Sequence, residues 1–244
     1  GLCPRGLLPV GGRGGGQDVG GAAAAREVSG LQARLPYLQT EPLFSYGSQP
    51  AAMDSWPIRP GYIDYVDGNP ESGIICDPEE FPDLSPDSLV GFNGRGGDRN
   101  IATGYYVIEF LLWGEISGGI TRGKRTHIDY DIDKTKYADR RGTFLVSCGD
   151  VLIRQLAEQL AEWKADIPEN HRTRFEKLPT DVALGKIFTG IALFAGRHPD
   201  LRKPEGGKVA EGEPDRQATF SGLGYIDLAH NVAGIANIAA GAYV

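Results

Sequence analysis

Apolar residues recur at helical spacing along much of the chain, and the clearest case is the stretch 143–164. Its apolar positions lie three or four residues apart with charged residues on the opposite side, which predicts an amphipathic helix. The positions of this stripe are Leu145, Cys148, Leu152, Leu156, Leu160 and Trp163. The stretches 28–39, 180–195 and 225–240 show related patterns. The predicted fold class is therefore mainly α, a helical bundle in which helix packs on helix.

Two other regions break this pattern. Residues 1–27 are rich in glycine and almost without periodicity, which predicts a disordered leader. Residues 43–98 carry many prolines and glycines with aromatic residues between them, which excludes long helices and predicts a long irregular insertion ordered by packing. We therefore expect a leader over 1–27 and a helical domain over 28–244.

The stretch ATGYYVIEFLLWGE, residues 102–115, is densely apolar and aromatic, yet Glu109 lies in its middle. We expect a helix here, capped by Asn100 or Thr103. An ionised carboxylate is costly to bury unless it is paired or bound to a cation. Tyr106 and Glu109 would share one face of the helix, and their hard oxygen donors suit Fe³⁺, Ca²⁺ or Mg²⁺ better than Zn²⁺.

The alternative for Glu109 is a partner within the protein, either an arginine or a tyrosine hydroxyl. The arginines considered are Arg99, Arg125, Arg140 and Arg141. Spacing alone favours such pairing, because buried acids in proteins are normally paired. Both interpretations stay open at the level of sequence.

Composition narrows the class of partner. The formal net charge of −7 argues against nucleic acid or an anionic membrane surface. No apolar run approaches the roughly 20 residues needed to cross a bilayer, so no transmembrane segment is predicted. The alternating acids Asp129, Asp131 and Asp133 lack the glycine and terminal glutamate of a calcium loop, and we expect a solvated acidic loop there.

Four blocks of the chain resemble, in order, successive blocks of the imelysin family. They are PYLQTEPLFSYG, SWPIRPGYIDYVDG, GIICD and NIATGYYVIEFLLWGE. The family was named for an insulin-cleaving outer-membrane protease and includes periplasmic, iron-regulated and iron-uptake proteins. Its signature is Gly-x-His-x-x-Glu: Gly104 and Glu109 match it here, while Tyr106 stands where the histidine belongs.

A second family block reads Phe-Ser-Asp-Asn-Thr-His-x-Asp in many members, and FSGLGYID stands in its place here. Phe220, Ser221 and Asp227 match, while Tyr225 replaces the second histidine. The resemblance implies a metal site at Glu109 and Tyr106. It also implies that Gly104, Tyr225 and Asp227 are residues of the cleft beside that site.

The resemblance further implies two halves, each like a four-helix bundle, with the signature in the cleft between them. The chain would then be a partial domain truncated at both termini, with exposed apolar helix faces through which it associates. A periplasmic or outer-membrane-associated location reached by a signal-dependent export route is expected.

Three functions follow from the resemblance. The first is a metal-associated binding protein of iron acquisition, with iron or another divalent or trivalent metal in a degenerate site and iron-uptake proteins as partners. The second is a metallopeptidase, in which Glu109 is a metal ligand or general base. The third is a structural relative without any metal. The loss of both histidines counts against the peptidase, because a catalytic zinc generally takes three protein ligands.

Overall fold

The computed structural model describes residues 32–44, 53–116, 123–197 and 220–241, so the predicted leader over 1–27 lies outside the described residues. Within these ranges the chain forms helices and one isolated β-bridge, Val66 with Asn69, but no strand, which confirms the mainly α prediction. The helices are α1 (32–38), α2 (Glu41–Phe44), α3 (Pro60–Ile63), α4 (Pro86–Phe92), α5 (Tyr105–Trp113), α6 (Ala138–Trp163), α7 (His171–Glu176), α8 (Thr180–Arg197) and α9 (Gly224–Ala240). A 3₁₀ helix, His127–Tyr130, lies between α5 and α6.

The start of α5 differs from the prediction. The residue before the helix is Gly104, whose φ of 105° suits glycine, and no side chain caps the first turn. The Asn100 side chain donates instead to the Arg95 carbonyl at 2.8 Å, and the Thr103 hydroxyl accepts from the Asn93 side chain at 2.8 Å. Both predicted caps are therefore wrong, because these side chains hold the preceding loop.

The chain divides into two compact units. Within the described ranges, unit 1 comprises residues 32–33, 53–116, 123–152 and 220–222, and unit 2 comprises residues 34–44, 153–197 and 223–241. Unit 1 therefore contains α3, α4, α5 and the first part of α6, while α2, α7, α8 and α9 belong to unit 2.

Helix α5 lies at the centre of the core of unit 1. Seven of its nine side chains are buried, as expected of a helix that is apolar on all sides. Around it pack Ile63 of α3, Leu89 of α4 and Phe144 of α6, all fully buried. Cys148, on the predicted apolar stripe of α6, belongs to the same core. Full burial of an isoleucine, leucine or phenylalanine side chain contributes about 1.5–3 kcal/mol of hydrophobic stabilisation.

The irregular segment before α5 is held by its own backbone. The amides of Ile74 and Ile75 donate to the carbonyls of Tyr62 and Ile63, at 2.9 and 3.1 Å. Gly73 permits this approach, because its φ is 88° and a Cβ there would lie 2.5 Å from the Ile63 carbonyl carbon. The prediction of an irregular, packed segment is confirmed for residues 53–98, which contain only the short helices α3 and α4.

In unit 2, polar side chains join the segment after α1 to α9. The Gln39 side chain lies 2.9 Å from His230 Nδ1 and accepts from the Asn237 side chain at 3.1 Å. Gly234 makes the close approach possible, since a Cβ there would lie 2.4 Å from the Gln39 carbonyl oxygen. Asn231, on the same helix, is fully buried.

Unit 2 also exposes apolar side chains. Phe188 of α8 is 64% exposed, and Val182, Leu184 and Leu193 of the same helix are exposed as well. Exposed apolar side chains are thus observed on α8, while the truncation and the association through helix faces stay predictions. No helix within the described ranges combines the length and the apolar character needed to cross a membrane.

Candidate functional site

The signature residues lie on α5 inside unit 1. Glu109 is only 5% exposed and Tyr106 only 1%, so both predicted metal ligands are buried. One carboxylate oxygen of Glu109, Oε1, accepts a hydrogen bond from the Ser221 backbone amide at 2.8 Å. The Tyr106 ring packs against Trp56, with ring centroids 4.7 Å apart. The structure therefore brings the signature acid together with the second family block.

Aromatic packing holds the Phe220–Ser221 backbone beside α5. The Phe220 ring lies against Phe110 and Trp56, with centroid distances of 5.3 and 6.2 Å. The Phe220 carbonyl accepts from the Gly123 amide at 2.8 Å. These contacts fix the position of the amide that Glu109 binds.

Three of the arginines considered as partners of Glu109 bind elsewhere. Arg125 and Arg141 both bind Asp64. Arg140 donates to three backbone carbonyls of the irregular segment, at 2.7 to 3.0 Å. For these three residues, the arginine pairing of Glu109 that the sequence left open is therefore wrong. Each is taken by an acceptor that the irregular segment of the chain supplies.

Asp64, in the GYIDYV block, is the centre of a buried ionic cluster that the sequence analysis missed. Its side chain is fully buried. Arg141 binds both carboxylate oxygens, Nε to Oδ2 at 2.6 Å and Nη2 to Oδ1 at 3.0 Å, and Arg125 Nη1 binds Oδ2 at 2.6 Å. Such two-point arginine–carboxylate pairs are strong and geometrically specific. An acid within an apolar block was the available signal, the same one that singled out Glu109.

Asp129 extends the cluster. Its Oδ2 accepts from the Tyr65 hydroxyl at 2.6 Å and lies 3.7 Å from Arg125 Nη1, while its backbone carbonyl accepts from Arg141 at 2.6 Å. The Arg125 guanidinium also lies over the Tyr65 ring, 4.8 Å from its centroid. The predicted solvated acidic loop is therefore wrong for Asp129, because the nearby Arg125 and the more distant Tyr65 and Arg141 bind it.

Burial and charge set the ionisation of this cluster. Burial alone would raise the pKa of Asp64, but hydrogen bonds from Arg141 and the charges of Arg125 and Arg141 outweigh it and lower the pKa. Burial raises the pKa of the Tyr65 hydroxyl to about 12. Burial, and next the charge of Asp64, raise the pKa of the Cys76 thiol to about 11. Neither Tyr65 nor Cys76 is thus activated as a nucleophile at neutral pH.

A cavity of about 440 Å³ opens beside the cluster in unit 1. Its lining includes Tyr65 and Arg125 from the cluster, together with Lys124 and Glu115. Glu115 accepts from the Asp67 amide at 2.8 Å. The lining carries charges of both signs, and none of the predicted site residues contributes to it.

The predicted cleft residues lie in different parts of the fold. Gly104 belongs to unit 1, where it precedes α5. Tyr225 and Asp227 belong to unit 2, on the first turn of α9. Tyr225 is 70% exposed, whereas Asp227 is fully buried and pairs with Arg34 at 3.3 Å.

The donor set decides which metals the described residues fit. Within the described ranges, no three His, Cys, Asp or Glu side chains are placed to hold one metal ion. A catalytic zinc takes three protein ligands, with nitrogen or sulfur usually among them, so the described residues do not fit a peptidase zinc. Glu109 and Tyr106, one turn apart on α5, offer a carboxylate and a phenol, which are oxygen donors of the kind that hard cations prefer.

The family model of Imelysin matches residues 23–243 of this chain. The chain therefore belongs to the imelysin family, as the resemblance of its sequence blocks predicts. No curated protein matches the sequence.

Proposed function

We propose that this member of the imelysin family is an extracytoplasmic binding protein associated with iron acquisition, in which Glu109 and Tyr106 contribute to a degenerate metal site. The observation that carries the proposal is a buried carboxylate one helix turn from a buried phenol, at two positions of the family signature. Glu109 Oε1 accepts the Ser221 amide, and a bound cation would be a further partner of the same carboxylate.

Ferric iron is the cation that this pair suits best. Carboxylate and phenolate oxygens are hard donors, and the replacement of the histidine by Tyr106 moves the donor set from nitrogen towards oxygen. Partner proteins of iron uptake and a periplasmic or outer-membrane location belong to this proposal.

A metallopeptidase is the less favoured alternative. It needs a metal-bound water and a set of ligands that the described residues do not provide. Digestion of a denatured protein substrate, with and without chelator, tests it. Cleavage that chelator abolishes would favour the peptidase over the binding protein.

Calorimetric titration of chelator-stripped protein with ferric nitrilotriacetate and with Zn²⁺ tests the proposal. We expect the wild type to bind ferric iron, Glu109→Gln to lose binding, and Tyr106→Phe to bind at least tenfold more weakly. Tyr106→His is the matched variant that restores the signature, and it should shift preference towards Zn²⁺. The absence of binding in the wild type would contradict the proposal. It would favour the third function, a structural relative without any metal.

A further inference from the structure

The hydrogen bond between Glu109 and the Ser221 amide joins two family blocks that are distant in sequence. It spans 112 positions and is buried. Ser221 itself is only 3% exposed and Phe220 only 5%. A backbone amide at such a depth must find an acceptor within the protein, because an unsatisfied buried amide is costly.

The bond belongs to a set of contacts that fixes one short stretch of backbone. Gly123 supplies the amide that binds the Phe220 carbonyl, and no larger residue fits at this position. A Cβ on Gly123 would lie 2.1 Å from the Trp113 carbonyl oxygen, far inside contact distance. Three contacts therefore hold this stretch. The Phe220 ring packs on Phe110, the Phe220 carbonyl accepts from the Gly123 amide, and the Ser221 amide donates to the Glu109 carboxylate.

We infer that Glu109 is a positioning residue, whose buried carboxylate anchors the Phe220–Gly222 segment through the Ser221 amide. This role needs no bound cation, so it stands apart from the metal site proposed above. A charged acceptor is stronger than a neutral one, since a charge-assisted hydrogen bond is roughly twice as strong as one between neutral groups. Glu109 thus orders the start of the second family block, Phe220–Gly222, in the metal-free protein.

Amide hydrogen exchange in the chelator-stripped protein tests the inference. Exchange at Ser221 is measured relative to the amides of Val151 and Leu152 on α6, so that a general loss of stability cancels. Glu109→Leu removes the acceptor and should speed relative exchange at Ser221 by about 10- to 100-fold. Glu109→Gln keeps an oxygen acceptor and should restore most of the protection.

Glu115→Leu is the matched control, because Glu115 also accepts a backbone amide, that of Asp67, at 2.8 Å. It should leave Ser221 unchanged. Unchanged relative exchange at Ser221 in Glu109→Leu would overturn the inference. If that variant does not fold, a Ser221 amide that is unprotected in the wild type or in Glu109→Gln would overturn it instead.

Failure of this inference and failure of the proposed function are distinguishable. If Ser221 is protected but the protein binds no ferric iron, the positioning role of Glu109 is supported and the proposed metal site is contradicted. If the protein binds ferric iron through Glu109 while Ser221 exchanges freely, the metal site is supported and the positioning role is contradicted.

Discussion

Asp64→Asn is expected to destabilise unit 1 strongly, because it removes the negative charge that Arg125 and Arg141 share. The asparagine has nearly the shape of the aspartate, so the effect of the substitution is mainly electrostatic. Its amide offers one acceptor oxygen in place of two, and its NH2 group would face an arginine N–H that now binds a carboxylate oxygen. Two buried cations would then remain beside Asp129, whose carboxylate lies 3.7 Å from Arg125 Nη1.

The structure sets the size of the effect. The Asp64 side chain is fully buried and receives three arginine hydrogen bonds of 2.6 to 3.0 Å. Breaking a buried ion pair by removal of one partner costs about 3–5 kcal/mol. That loss is a large part of the roughly 5–15 kcal/mol that keeps a typical domain folded.

Urea unfolding followed by tryptophan fluorescence measures this loss. Trp56 and Trp113 lie in unit 1 and Trp163 lies in unit 2, so a Trp163→Phe background makes the signal specific for unit 1. With an m-value of about 2 kcal/mol/M, the loss corresponds to a fall in the urea midpoint of about 1.5–2.5 M.

Asp131→Asn provides the control in the same background. Asp131 pairs with Lys134 at 2.8 Å near the surface, and such pairs add little to stability. Its midpoint should stay that of the parent. A fall of less than about 0.5 M for Asp64→Asn would refute the reasoning, since the buried cluster would then behave as a surface ion pair.

Two further predictions follow from the same segment of the chain. The lowered pKa of Asp64 means that its stabilisation is complete above the ordinary aspartate value of about 3.9 and is lost as the pH falls through the lower folded value. The free energy of unfolding should therefore decline below about pH 4 in the wild type and much less in Asp64→Asn; equal declines in acid titrations would contradict this. Gly73→Ala should destabilise by at least about 2 kcal/mol, because the left-handed backbone and the contact with Ile63 both oppose a Cβ. Gly68→Ala, also at positive φ but with open space around it, should cost less in thermal unfolding, and equal losses would refute the steric part.

The periodic pattern of the sequence determined most of the secondary structure. Helices α6, α8 and α9 follow from apolar spacing, because a helix repeats every 3.6 residues whatever lies around it. The burial of Glu109 also followed from sequence, since its neighbours on every side of the helix are apolar. Membership of the imelysin family was predicted from four sequence blocks, and the match of the family model confirms it.

The partners of the buried charges were decided by the tertiary structure. Asp64 meets Arg125 and Arg141 across 61 and 77 positions of sequence, and Glu109 meets a backbone amide across 112. A backbone amide has no residue type to recognise, and four arginines were equally plausible for one acid. Local spacing determines which residues face inward, but only the return of distant loops to the same core determines which charge meets which.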